Sequence, residues 1–121
     1  TLACDVPGSA NHERITDLGK GAAIKVLDGR TICDYRMVEF MKQIAKKNKV
    51  NYQLEVLPAG GTDTASMQQF ARGGSIAGGI SIPCRYLHQV IEMADKRDVR
   101  EAIDLLKYCL LAMDDFDWSH K

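Results

Sequence analysis

Runs of alternating or wholly apolar residues divide this chain into short strand and helix candidates, separated by glycine and proline. Leu2 to Val6 reads as the tail of a strand stopped by Pro7-Gly8. Polar residues from Ser9 to Asp17 form a loop, and the Gly19-Lys20-Gly21 turn feeds Ala22 to Leu27, a β run closed by Asp28-Gly29. From Asp34, a plausible N-cap, Met37, Val38, Met41, Ile44 and Ala45 recur at helical spacing, with Lys42, Lys46, Lys47 and Lys49 off that stripe. Tyr52 to Leu57 alternates as a strand does. Pro58-Ala59-Gly60-Gly61-Thr62-Asp63 then opens a helix bearing Ala65, Met67, Phe70 and Ala71, which Gly73-Gly74 closes.

The stretch from Ile76 to His88 organises the rest. Ile76, Ile80 and Ile82 are β-branched among small and apolar neighbours, the pattern of a strand buried on both faces of a parallel sheet. Pro83 ends it, so Arg85, Tyr86 and His88 fall just beyond its carboxyl end. Asp95-Lys96-Arg97-Asp98 follows, and Val99, Ala102, Ile103, Leu106, Leu110 and Met113 predict an amphipathic helix against the sheet. The acidic, aromatic tail from Asp114 to Lys121 is expected to fray. The order strand, strand, helix, strand, helix, strand, helix is that of an α/β protein.

Length and charge narrow the possibilities. A chain of 121 residues builds one core, so residues 1–121 are read as one domain or part of one. Sixteen basic residues balance sixteen acidic ones, which excludes a global field favouring nucleic acid or an anionic membrane. No apolar run approaches a membrane span, and the first residues lack the regions of a signal peptide, so a soluble cytoplasmic protein is expected. The chain opens inside strand sequence, as a fragment would. Cys4, Cys33, Cys84 and Cys109 are scattered without metal-site spacing and are read as reduced thiols. Gly19-Lys20-Gly21 lacks the length and the following helix of a phosphate loop, which removes nucleotide binding. The lysines after Met41 are read as a solvated helix face.

Two segments could carry chemistry. Glycines at the strand-to-helix turn Gly60-Gly61-Thr62-Asp63 allow backbone to approach a ligand, and the helix N-terminus favours an anionic or carbonyl oxygen. An ordinary tight turn capped by Thr62 or Asp63 satisfies the same pattern. His88 is a lone histidine, a residue that is ordinarily structural or solvent-facing, and only its place beyond a strand end distinguishes it. Ligands of open α/β sheets bind at the carboxyl edge, and both segments are expected there, close together.

Gly60-Gly-Thr-Asp63 and Ile80-Ser-Ile-Pro-Cys-Arg-Tyr-Leu-His88, followed by Asp95-x-Arg-Asp98, occur in this order with Asp5-Val-Pro-Gly8 and Leu18-Gly-Lys-Gly21. Together they resemble the carboxyl-terminal part of the tetrahedral aminopeptidases, metallopeptidase family forty-two. That family includes glutamyl and deblocking aminopeptidases, and some members carry an older label as endoglucanases. The resemblance spans nearly the whole chain. It implies a three-layer α/β sandwich with a mostly parallel sheet, part of a zinc-exopeptidase-like catalytic domain. It also implies a cytoplasmic exopeptidase with two divalent metal ions, zinc or cobalt, acting on peptide N-termini in assemblies from dimer to dodecamer. On the family pattern His88 is a metal ligand, and Gly60, Gly61, Thr62 and Asp63 line the substrate pocket.

The family's remaining ligands and its general base come from a His-x-Asp segment, a bridging aspartate, a Glu-Glu pair and a strand aspartate. No His-x-Asp and no Glu-Glu occurs in these residues, and the strand aspartate would lie immediately before Thr1. The chain therefore resembles roughly the last third of a subunit, with one metal ligand and no catalytic base, and is expected to need the remainder of its subunit for activity. Gln89-Val90 stands where the family has a small or turn-forming pair, and Ser75-Ile76 replaces its Val-Pro. The alternative is a non-enzymatic α/β binding or assembly module. Polysaccharide hydrolysis would need two carboxylates facing a sugar, and nothing marks such a pair.

Overall fold

The computed structural model describes residues 1–120. Its centre is β1 (Ala22–Asp28), which pairs in parallel with β3 (Tyr52–Val56) and antiparallel with β2 (Thr31–Ile32) and β4 (Ile80–Ser81). The longest ladder, β1 with β3, is the parallel one, and the class is α/β as expected. Helices α1 (Tyr35–Asn48) and α3 (Lys96–Ala112) cover one face of the sheet, and α2 (Asp63–Phe70) sits against β2. A separate hairpin pairs β5 (Cys84–Arg85) with β6 (Met93–Ala94).

The core lies between the sheet and α1 with α3, where Ala22, Ile24, Phe40, Met41, Ile44, Ala45 and Leu105 are buried. Helix α1 begins where expected because Asp34 accepts the Arg36 backbone N–H at 2.9 Å, satisfying an orphan donor of the first turn. Gly21 has φ +95°, and a Cβ there would stand 2.1 Å from the Asn51 carbonyl oxygen, so only glycine admits β3 beside the start of β1.

Four expectations are corrected. The stretch from Ile76 to Ile82 is not a parallel strand buried on both faces: only Ile80 and Ser81 are strand, they pair antiparallel with β1, and all three isoleucines are half-buried. A parallel strand needs a crossover helix that carries the chain back across the sheet. The eight residues of α2 rise only ~12 Å. Gln68 and Gln69 donate to the carbonyls of Ile32 and Arg30, holding α2 beside the β1–β2 turn, so the chain re-enters the sheet from that same end. The stripe of α3 is rotated: Asp98, Ala102, Leu105 and Cys109 face the core, while Ile103, Leu106 and Leu110 are exposed. In α2, Ala65 is buried but Met67 and Phe70 face outward.

The tail does not fray over its described residues, Asp114 to His120, and Lys121 lies outside them. Phe116 and Trp118 pack at a tilt against Phe40 with ring centroids 5.0 and 5.1 Å away, and Arg36 donates to the Trp118 carbonyl at 2.7 Å. These rings cover Phe40, whose burial outweighs the ordering of a few terminal residues. Of the expected strand tail from Leu2 to Val6, only Leu2 pairs, in an isolated parallel bridge to Cys84, and the residues after it belong to no strand.

Candidate functional site

The loop from Leu57 to Thr62 leaves the carboxyl end of β3 and opens α2. Gly60 adopts φ +76°, a left-handed conformation that glycine takes without steric cost. Thr62 is the N-cap residue, yet its side chain makes no capping bond; the hydroxyl instead donates to Asp28 Oδ2 at 3.0 Å. Behind the loop lies a charged cluster that the sequence reading passed over. Lys25 and Asp28 on β1 and Glu55 on β3 are 1%, 4% and 0% exposed, so the cluster is sealed from solvent. Lys25 Nζ donates to Glu55 Oε1 at 2.5 Å and stands 3.4 Å from Asp28 Oδ2. Burial alone would raise the Asp28 carboxyl, but the Arg30 amide, the Thr62 hydroxyl and Lys25 together hold it below its ordinary range. The available signal was a charge inside each apolar strand, and the register that pairs Lys25 with Glu55 brings those charges together.

The second segment is the β5–β6 hairpin. Arg85 makes a bidentate pair with Asp5, at 2.7 and 3.0 Å, and Asp5 also accepts the Leu18 backbone N–H at 2.9 Å. The Arg85 hydrogen bond, against the effect of burial and aided by the Leu18 amide, holds the Asp5 carboxyl below its ordinary value. Asp98, buried at the start of α3, accepts from the Gly19 and Gly21 amides at 2.7 and 2.8 Å. The Leu18-to-Gly21 turn is thus tied at both ends by aspartates, and four of the five recurring motifs meet through hydrogen bonds. Beyond Arg85, Tyr86 and His88 have φ of 56° and 64°, a left-handed backbone at two non-glycine residues of one turn. The Glu92 carboxylate accepts the His88 backbone N–H, and the imidazole itself lies exposed.

The expectation that His88 lies beside the Gly60–Asp63 loop is corrected. Because β4 runs antiparallel to β1, Ile82 and Pro83 leave the sheet at the amino end of β1. The loop meets the opposite end: a Cβ placed on Gly29 would lie 2.7 Å from the Gly60 carbonyl oxygen. The two segments are therefore not brought together within this chain. Among the described residues, no group of three or more His, Cys, Asp or Glu side chains could hold a metal ion. One exposed imidazole fits a metal site only as one ligand among others supplied from outside this chain.

The family model of M42 glutamyl aminopeptidases matches residues 1–105. An aminopeptidase of the archaeon Desulfurococcus kamchatkensis has the same arrangement, with a TM-score of 0.85 and 42% identity over 89% of this chain and 31% of its own. The lysyl aminopeptidase of Pyrococcus furiosus is 32% identical over 105 residues, which is 87% of this chain and 30% of that protein. The TET1 peptidase of Pyrococcus horikoshii, described as able to assemble into a tetrahedron or a large octahedral shell, gives a TM-score of 0.71 at 27% identity, over 88% and 30% of the two chains. This chain thus spans about 30% of the length of the relatives it matches. Matched over nearly all of its length in sequence and in backbone, it belongs to the M42 glutamyl aminopeptidase family.

Proposed function

We propose that this chain is the carboxyl-terminal portion of a metal-dependent aminopeptidase subunit that removes residues from peptide N-termini in the cytoplasm. His88 is one ligand to a pair of divalent ions, zinc or cobalt, and the remaining ligands and the general base belong to the rest of the subunit. Such a metal, when bound, would acidify a water at the site and so make a nucleophile available at neutral pH. The observation that carries this reading is the hairpin turn of His88. Left-handed backbone at Tyr86 and His88, the Glu92 carboxylate and the Arg85–Asp5 pair shape the turn that presents the exposed imidazole, which belongs to no group of three or more metal-ligating side chains among the described residues. Gly60, Gly61, Thr62 and Asp63 are proposed separately as contacts to the substrate, since the two segments leave opposite ends of β1.

The outer face of α3 supports incompleteness from another direction. Ile103, Leu106, Leu110 and Leu111 are 52% exposed or more, and Leu54 and Val56 of the edge strand β3 are about half exposed. Surfaces of this kind are covered in stable assemblies, here by the remainder of the subunit or by further copies in an oligomer. The isolated chain is expected to self-associate, which sedimentation at several concentrations measures; a compact monomer throughout would count against it.

The decisive assay incubates the purified chain with aminoacyl chromogenic substrates and zinc or cobalt. No turnover is expected from the chain alone. Supplying the amino-terminal part of the Desulfurococcus kamchatkensis aminopeptidase should restore turnover and tight metal binding, and His88→Ala should lose both. Turnover by the isolated chain that vanishes with His88→Ala would show that the chemistry resides here. Restored turnover indifferent to His88→Ala would remove the ligand assignment.

A further inference from the structure

Thr62 occupies the N-cap of α2 yet donates its hydroxyl elsewhere. An N-cap threonine ordinarily accepts a backbone N–H of the first turn, a contact whose loss costs about 1 kcal/mol. Here the hydroxyl crosses to Asp28 Oδ2 at 3.0 Å. Asp28 itself is fixed from behind: its other oxygen accepts the Arg30 N–H at 2.9 Å, and Lys25 stands 3.4 Å away, neutralised in turn by Glu55. The β1–β2 turn and the loop also interlock by shape. A Cβ on Gly29 would lie 2.7 Å from the Gly60 carbonyl oxygen, and one on Gly61 would lie 2.6 Å from Cδ of Arg30. At the far side Gln69 donates to the Arg30 carbonyl at 3.0 Å, so the turn is gripped by both ends of α2.

We propose that Asp28 is a positioning residue for the Gly60–Asp63 loop, holding it through the Thr62 hydroxyl in the one backbone shape in which it contacts substrate. This rests on the reading of that loop as a substrate contact. Asp28 is 4% exposed and touches no solute; it acts only through Thr62 and the Arg30 turn. The consequence is a loop rigid before substrate arrives, which lowers the ordering cost of binding. A buried carboxylate suits this role because a charge-assisted acceptor is stronger than a neutral one.

The test compares Thr62→Val with Thr62→Ser in the 121-residue chain, reading amide hydrogen exchange at Gly60, Gly61 and Asp63 against global stability in urea. Thr62→Val should speed exchange at those amides roughly tenfold with the rest of the sheet unchanged, the loss expected for one hydrogen bond to a charged group. Thr62→Ser, which keeps the hydroxyl, should restore the slow rates. Asp28→Asn should give an intermediate rate. Unchanged exchange in Thr62→Val, or failure of serine to restore protection, overturns the proposal. In the reconstituted peptidase described above, Thr62→Val should raise KM severalfold with kcat held. Faster exchange with KM unmoved overturns the positioning role and leaves the peptidase reading intact, whereas reconstitution that yields no turnover even with Thr62 in place counts against the peptidase reading, and the exchange data still decide the Asp28 contact.

Discussion

The two ends of β1 treat charge in opposite ways. At its carboxyl end Lys25, Asp28 and Glu55 are buried together and answer one another within the chain. At its amino end the hairpin carries an exposed imidazole on a left-handed backbone, with Arg85 and Asp5 bracing it. In the first region the three charges stabilise each other, although the buried Glu55 Oε2 accepts no hydrogen bond from the described residues. The second holds left-handed backbone at Tyr86 and His88, strain of the kind that clusters at ligand-binding turns.

The sharpest way to break this comparison is to unbalance the buried cluster. Lys25→Met leaves the Asp28 and Glu55 carboxylates without their shared ammonium in a site with almost no solvent access, and should cost about 3–5 kcal/mol. Urea denaturation reads this directly. Lys25→Met combined with Glu55→Leu should cost less than the Lys25→Met single variant, since removing the second carboxylate lowers the uncompensated charge left in the site. Equal costs would show that the pair is packed rather than electrostatically coupled.

At the other end the sign reverses. His88→Gly should stabilise the chain by about 1 kcal/mol, because glycine adopts positive φ without the Cβ penalty that histidine carries. A loss of stability would mean that the imidazole makes a contact within its own chain, and the claim of an outward, waiting side chain would fall.

The smallest effect concerns acid. Asp5 has a folded-state pKa below its unfolded value, so its contribution is present above the ordinary carboxylate pKa and is lost as pH falls through the lower folded value. Partial exposure of Arg85 screens the pair and keeps this contribution small. The stability difference between the native chain and Asp5→Asn should therefore shrink as pH drops through that window. A difference independent of pH would assign the role of Asp5 to shape.

The hydrophobic pattern located β1, α1, β3, α2 and α3, because each depends on local periodicity, caps and glycine turns. Five short motifs in order were enough to place the family, since each keeps its residues for hydrogen bonds that the fold then uses: Asp5 for Arg85 and Leu18, Asp98 for Gly19 and Gly21. Strand direction was different. Nothing in Ile76 to Ile82 states whether it runs with or against β1; the path of the preceding helix decides that, and with it the separation of His88 from the glycine loop. The face of α3 was equally illegible, because apolar residues surround the helix and only its packing on the sheet selects Ala102, Leu105 and Cys109 over Ile103, Leu106 and Leu110.

The sequence by itself determined β1, β3 and the three α-helices, the α/β class and the family, all of which rest on interactions between near neighbours or on short spacings within motifs. Only the tertiary structure decided that Lys25, Asp28 and Glu55 form one buried cluster and that Thr62 turns away from its helix to reach it. The contacts of Lys25 with Glu55 and of Asp28 with Thr62 join residues about thirty positions apart, and a side chain buried at such a distance is chosen by strand register, which depends on every residue packed around it.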